Sequence, residues 1–370
     1  MLGQYDVCWR NRHASRFLFT NKIILEISAL QKVRVLATVP ELETKPQLLK
    51  QIQDLSPHLE VAYQLSTDDK VTADALRDVE VLYTQRPPAH LDNANQLKWI
   101  QFSFTGVDKM INRPFFDPDR GIIITTGAGA HAGSVAEYCL AAMGLLSRDF
   151  LVFYKDQQSK VRDRSHSHMG DLHGNTLGVI GYGNIGREVG RLAHNHHMKI
   201  LALSRRPDHR ESSGMQWPDV GDPHGVLPER YYGPDQLHEM LAHCDFVVSS
   251  VPLTPETENL ISDREFAAMK PSAYFVHVGR GRTLDDMALA RALEQGEIAG
   301  AAVDVFRTDP EALSPEHPLW AAENFLLTPH ISGNRNELYF QRMNDIICEN
   351  LRRYLDGRPL LNVATRDSGY

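Results

Sequence analysis

The sequence predicts an α/β protein of two domains, each built on a parallel sheet. Three observations carry that prediction. Apolar runs of strand length alternate with helical patterns along most of the chain, the order expected when helices connect parallel strands. The chain has 370 residues and 42% hydrophobic composition, enough for packed cores in about two domains. And the stretch 177–206, LGVIGYGNIGREVGRLAHNHHMKILALSRR, reads as strand, glycine turn, helix, strand.

That last stretch organises the rest. Its GYGNIG places Gly181, Gly183 and Gly186 in the context that makes a G-x-G-x-x-G match specific. Gly181 suits the tight turn, Gly183 lets the backbone approach a pyrophosphate, and Gly186 lets the helix pack close to the strand. The helix beginning near Asn184 and Ile185 then offers unpaired N–H groups and a positive dipole end to phosphates. A dinucleotide-binding domain of the Rossmann type follows. Where NAD-binding domains place an acid at the end of the second strand, this chain has Ser204-Arg205-Arg206. Two guanidinium groups suit a 2′-phosphate, so NADP is the preferred cofactor and NAD the alternative.

Thirty-nine basic against 47 acidic residues give a net charge of −8, with the basic residues scattered. Nothing there points to nucleic acid or an anionic membrane. No apolar run reaches transmembrane length. Cys8, Cys139, Cys244 and Cys348 lie far apart without metal spacing, which predicts reduced thiols and a cytoplasmic setting. The histidines at 166/168 and 194/196/197 lack acidic or thiol partners at ligand spacing, so no metal site is expected. Residues 1–30 are basic and then apolar, without a signal-peptide core or cleavage site. They predict an N-terminal extension, with an organelle transit peptide left open.

Taken in order, strands are expected at 33–37, 79–84, 97–102 and 121–127, with a helix over 46–55. These make a small flavodoxin-like domain. A helix over 134–150 follows, with Ser134 as N-cap and Glu137 in the capping-box position. Beyond the glycine motif, 207–234 is irregular and reads as a surface insertion. Strands at 246–252, 273–278, 299–306 and 324–330 complete the nucleotide domain. A helix after Thr283, with Asp286 in the box position, and an amphipathic helix over 337–355 are the remaining long elements. The expected division is 31–137 with 329–370 for the substrate domain, split around 138–328 for the nucleotide domain.

Hydride transfer to a 2-oxo acid needs an arginine for the carboxylate and carbonyl. It needs a protonated group of near-neutral pKa, a role that suits histidine, and a carboxylate to orient that imidazole. Arg280, His330 and Asp309 stand at or just beyond ends of predicted strands and can supply these.

With these residues in hand, the chain resembles the D-isomer-specific 2-hydroxyacid dehydrogenases over roughly 33–365. The match is carried by SVAEY, LGVIGYGNIG, VPLTPET, the RG of HVGRG, VDVF, HPLW and TPHISG, in the family's order. The resemblance implies catalysis in the cleft between the two domains, with Arg280 binding substrate and His330 donating the proton. It implies that Asp304 meets the nicotinamide carboxamide and that Thr257 lies near the phosphates. Pro252 and Val278, within the same motifs, join the cofactor-binding set. The loop 103–106, with Phe104, Thr105 and Gly106, is implied to present N–H groups to the substrate carboxylate. A homodimer formed through the nucleotide domain is implied as well.

Two departures stand out. Asp309 replaces the family's usual glutamate, so the pair with His330 is expected to be longer or reached by a backbone shift, leaving the histidine less basic. His277 replaces the usual asparagine and reads as structural. Formate is disfavoured as substrate, and the 40 residues after His330 predict no regulatory domain. The expected activity is reduction of a small 2-oxo acid of the glyoxylate or hydroxypyruvate type to the D-2-hydroxy acid. The rival expectation is a non-enzymatic dinucleotide sensor of the C-terminal-binding corepressor type.

Overall fold

The computed structural model describes residues 32–65, 71–91, 94–163, 170–333 and 335–366. The extension at 1–30, Cys8 and the pair His166/His168 lie outside the described residues. The chain divides into two compact units. The first takes residues up to Ser103, Asp117–Thr125 and Met343–Val363; the second takes Phe104–Phe116, Thr126–Arg342 and the residues from Ala364.

The first unit runs β1 (Val33–Ala37), α1 (Glu41–Thr44), α2 (Pro46–Gln53), β2 (Leu59–Tyr63), α3 (Ala73–Leu76), β3 (Val81–Thr84), β4 (Trp99–Phe102) and β5 (Ile123–Thr125). All strand pairings are parallel, in the order β2-β1-β3-β4-β5, which is the flavodoxin-like order. In α2, Pro46 sits in the first turn where its missing N–H costs nothing, and Leu48 and Ile52, one turn apart, are buried. The sequence reading missed β2. Its residues alternate buried and exposed only weakly because it is the edge strand.

The second unit contains α4 (Ala132–Ser147), α5 (Phe150–Gln158), β6 (Thr176–Ile180), α6 (Asn184–Asn195), β7 (Lys199–Leu203), β8 (Arg230–Tyr232), α7 (Leu237–Leu241), β9 (Phe246–Ser249), α8 (Asp263–Ala267), β10 (Tyr274–His277), α9 (Asp286–Glu294), β11 (Gly300–Val303) and β12 (Phe325–Leu327). Its seven parallel strands are ordered β12-β11-β10-β9-β6-β7-β8. The order reverses between β6 and β9, and open α/β sheets bind ligands outside the carboxyl ends of the strands at such a switch point. Both faces are covered. In β9 and β10, Val247 and Phe275 enter one core while Val248 and Val276 enter the other, so these strands read as unbroken apolar runs. The final helix α10 (Glu337–Leu355) has its residues from Met343 onward grouped with the first unit.

Three local expectations need correction. The first long helix starts at Ala132, not Ser134, and ends at Ser147, where Asp149 adopts a left-handed φ of 53°. Ser134 does not cap it; its hydroxyl donates to the His131 carbonyl at 3.2 Å, because the preceding turn is already helical. In α9 the cap is Asp285, whose carboxylate accepts from the Ala288 N–H at 3.0 Å, rather than Thr283, which belongs to a short 3-10 turn. And the irregular 207–234 includes a true strand, β8, paired to β7 at the sheet edge.

The three described cysteines are buried and free. Burial raises the Cys139 thiol, pushes Cys244 up to about 12 and Cys348 up to about 11, so none is a thiolate near neutral pH. His194, His196 and His197 are exposed. Among the described residues no helix is long and apolar enough to cross a membrane.

Candidate active site

The three glycines do different work. Gly181 has φ +94°, and a Cβ there would stand 2.9 Å from the Val251 side chain. At Gly186 a Cβ would stand 2.3 Å from the Gly181 carbonyl oxygen and 2.8 Å from Val179, so the helix can approach β6 only without one. Gly183 has nothing within 4 Å of that position; a side chain there would obstruct a phosphate at the helix N-terminus and nothing in the protein. Open backbone at the first turn of a 12-residue helix fits a pyrophosphate. Two substitutions separate these roles. Gly186→Ala should destabilise the fold by at least ~2 kcal/mol, from overpacking against backbone. Gly183→Ala should leave the melting temperature close to the parent's and weaken dinucleotide binding at least tenfold. Thermal melts and fluorescence titrations check both, and a strong binder with Gly183→Ala would show that no phosphate approaches there.

The other cofactor candidates also lie at carboxyl ends of strands. After β7, Ser204 Oγ accepts from the Arg206 N–H at 3.2 Å, shaping a turn whose Arg205 and Arg206 are both exposed. Arg205 lies close enough to Glu256 to help lower that carboxyl, after the larger effects of the Thr254 hydroxyl and the local backbone. After β9, Thr257 Oγ1 donates to the Pro252 carbonyl at 2.7 Å and accepts from the Thr254 N–H at 2.8 Å. Its hydroxyl therefore holds the 252–257 turn. Val278 is buried and its N–H donates to the Ser249 carbonyl.

Arg280, His330 and Asp309 all lie in the second unit, as does the loop 104–106. Arg280 follows β10. Its Nε donates to Asp108 Oδ1 at 3.3 Å and its Nη1 to the Gly279 carbonyl at 3.1 Å. The guanidinium lies against Gly106, where a Cβ would fall 1.8 Å from Nη2. The Ser103 N–H donates to the Thr84 carbonyl at 3.0 Å, so Ser103 does not present its N–H as the sequence reading expected. Asp108 was missed: it stands 172 residues from Arg280, and no local pattern links an acid at the end of GVD to that arginine.

His330 follows β12 in a left-handed conformation, φ 56°, which a non-glycine residue holds only under constraint. Its N–H donates to the Asp304 carbonyl at 2.9 Å and to Thr328 O at 3.1 Å. The Asp304 carboxylate, fully buried, accepts from Thr328 Oγ1 at 2.6 Å, the Ile331 N–H at 2.8 Å and the Ser332 N–H at 2.9 Å. Asp304 thus builds the turn that carries His330. His330 Nδ1 meets Asp309 Oδ2 at 3.1 Å. The shorter acid therefore still reaches the imidazole.

His277 is buried at the end of β10, its Nε2 3.1 Å from the Arg280 carbonyl, which also accepts from Thr283 N and Oγ1. A carbonyl only accepts, so Nε2 carries the proton and the buried Nδ1, without a hydrogen-bond partner, does not. Burial pushes this imidazole down from 6.5 to about 4. Because the unfolded chain takes up the proton first, His277 leaves stability untouched above pH ~6.5, erodes it as pH falls toward 4, and adds no further loss below. The full difference is about 3 kcal/mol. His277→Asn should remove that share of the acid sensitivity, read as parent-minus-variant unfolding free energy in urea at pH 7 and pH 4.5; an unchanged difference would mean that His277 does not titrate on unfolding.

Residues 140–332 match the family profile described as D-isomer specific 2-hydroxyacid dehydrogenase, NAD binding domain. The chain is 32% identical over 254 residues to the glyoxylate reductase of Korarchaeum cryptofilum, covering 67% of this chain and 70% of that one. It is 28% identical over 338 residues to the D-3-phosphoglycerate dehydrogenase of Methanocaldococcus jannaschii, covering 90% of this chain and 59% of that one. Among solved structures, a D-isomer specific 2-hydroxyacid dehydrogenase from Xanthobacter autotrophicus Py2, in complex with NADPH and MES, superposes with a TM-score of 0.72. The two are 25% identical, over 92% of this chain and 100% of that one.

Proposed function

The chain belongs to the D-isomer specific 2-hydroxyacid dehydrogenase family, and from that premise we propose that it reduces a small 2-oxo acid of the glyoxylate or hydroxypyruvate type to the D-2-hydroxy acid, with NADPH preferred over NADH. The observation that carries this reading is the His330–Asp309 pair at 3.1 Å in the same unit as Arg280. The substrate class draws support from the relative named glyoxylate reductase. The cofactor preference rests on Arg205 and Arg206 in place of an acid.

The nicotinamide, when bound, supplies the hydride. The protein's part is binding and proton delivery. Arg280, held at Nε by Asp108 and at Nη1 by the Gly279 carbonyl, turns the rest of its fork to the substrate carboxylate and carbonyl oxygen. That cation stabilises the negative charge growing on the oxygen. His330 keeps a proton on Nδ1 for Asp309, so Nε2 is the atom that gives its proton to the developing alkoxide. Asp309 fixes that tautomer and the ring plane. Asp304, by fixing residues 328–332, sets where the ring stands.

The rival reading is a sensor that binds dinucleotide without turnover; the 3.1 Å contact between His330 and Asp309 supports the enzyme instead. Initial rates with glyoxylate, hydroxypyruvate, pyruvate and phenylpyruvate, each with NADPH and NADH, test the proposal. Turnover is expected with glyoxylate or hydroxypyruvate and to be faster with NADPH. Silence across the panel with cofactor binding intact would overturn the enzyme in favour of the sensor.

A further inference from the structure

The proposed reaction uses none of residues 207–229, yet this segment is tied to the glycine motif and its helix by buried charge. Tyr182 Oη donates to Asp222 Oδ2 at 2.9 Å. The Arg187 guanidinium donates to the carbonyls of Asp222 and Arg210, and Glu188 accepts from the Gly221 N–H at 2.5 Å. Asp222 also accepts from the N–H groups of Val226 and Leu227 at 3.0 and 3.1 Å. Arg187, Glu188 and Asp222 are all buried. Charged groups stay buried only where they are partnered, so the segment is docked on the motif and does not trail in solvent.

That docking delivers Trp217 to the start of α6. A Cβ on Gly129 would stand 3.3 Å from the Trp217 ring and 3.5 Å from the Asn184 side chain, so the ring, Gly129 and the first residue of α6 lie together. The Arg342 guanidinium lies over the ring, 5.5 Å from its centroid. A small open cleft is lined by Gly129, Asn184, Arg187, Ser212, Gln216 and Trp217. It borders the helix end that suits a pyrophosphate.

We propose that residues 209–227 form a fixed wall of the dinucleotide site and that Trp217 slows release of the bound dinucleotide. The inference rests on the cofactor reading above. An indole offers a large rigid contact surface with little entropy to lose on contact. Differences in affinity from such a contact fall mainly on the dissociation rate. Trp217 is a positioning residue here; proton transfer and carboxylate binding do not pass through it.

The test measures NADPH binding by the emission of the bound dihydronicotinamide and its release by stopped-flow displacement. Trp217→Ala is expected to release NADPH about tenfold faster and bind it about tenfold more weakly. At saturating NADPH its KM for glyoxylate should stay within about twofold of the parent's. Trp217→Phe, which keeps a ring, should stay near the parent in both. Equal release from parent and Trp217→Ala, with binding intact, overturns the wall and leaves the cofactor reading standing. Failure of the parent to bind NADPH or NADH overturns both. Independently of any variant, hydrogen exchange in peptides covering 209–227 of the parent should slow when NADPH is added; unchanged exchange there overturns the proposal.

Discussion

Gly106→Ala is expected to lower kcat/KM by two to three orders of magnitude, on the order of the loss from removing a preorganised charge-stabilising donor, with the fold nearly unaffected. The added Cβ would fall 1.8 Å from Arg280 Nη2 and 2.9 Å from Cζ. The colliding group is the far end of a flexible side chain, so the protein folds by letting the guanidinium leave. Leaving means giving up the Asp108 and Gly279 contacts that aim it. The variant should therefore approach Arg280→Ala in kcat/KM while melting close to the parent. Arg280→Lys should not rescue activity, because a point charge cannot reproduce the planar fork. A Gly106→Ala enzyme within about threefold of the parent would mean that Arg280 acts from elsewhere, and the carboxylate-binding role assigned to it would fall.

The double substitution Arg205→Asp with Arg206→Ala should invert the cofactor preference. Removing two guanidinium groups from a 2′-phosphate loses charge-assisted hydrogen bonds of about 1.5–3 kcal/mol each when well shielded. Both arginines are exposed, so solvent screening cuts this, and about 10²-fold weaker use of NADPH is the expected result. The new aspartate accepts from a ribose 2′-OH and repels a phosphate, so NADH use should rise as NADPH use falls. Steady-state kcat/KM for both cofactors reads the outcome. An unchanged NADPH to NADH ratio would mean that the 2′-phosphate assignment to these arginines is wrong.

Local pattern by itself determined a good deal of this protein. The alternation of apolar runs, the glycine spacing at 181, 183 and 186 and the Arg205-Arg206 pair at the end of β7 are all contiguous features. A strand buried on both faces or a strand–turn–helix writes its physics into neighbouring residues, and those readings needed no partner from elsewhere in the chain. Candidates such as Arg280 and His330 were legible because they stand just beyond such strands. Helix starts were less so. Ser134 and Thr283 look like caps, but the turn before Ala132 was already helical and Asp285 captured the Ala288 N–H.

Only the tertiary structure decided contacts between residues far apart in sequence. Asp108 meets Arg280 across 172 residues, and the Asp304 carboxylate spends itself on residues 328–332. Neither contact leaves a periodicity to read. Burial decided the rest. Burial holds the His277 imidazole below its ordinary pKa, and an irregular segment is docked because Arg187, Glu188 and Asp222 find partners there. Composition cannot tell such a segment from a solvated loop, since the same polar residues serve both and only their partners differ.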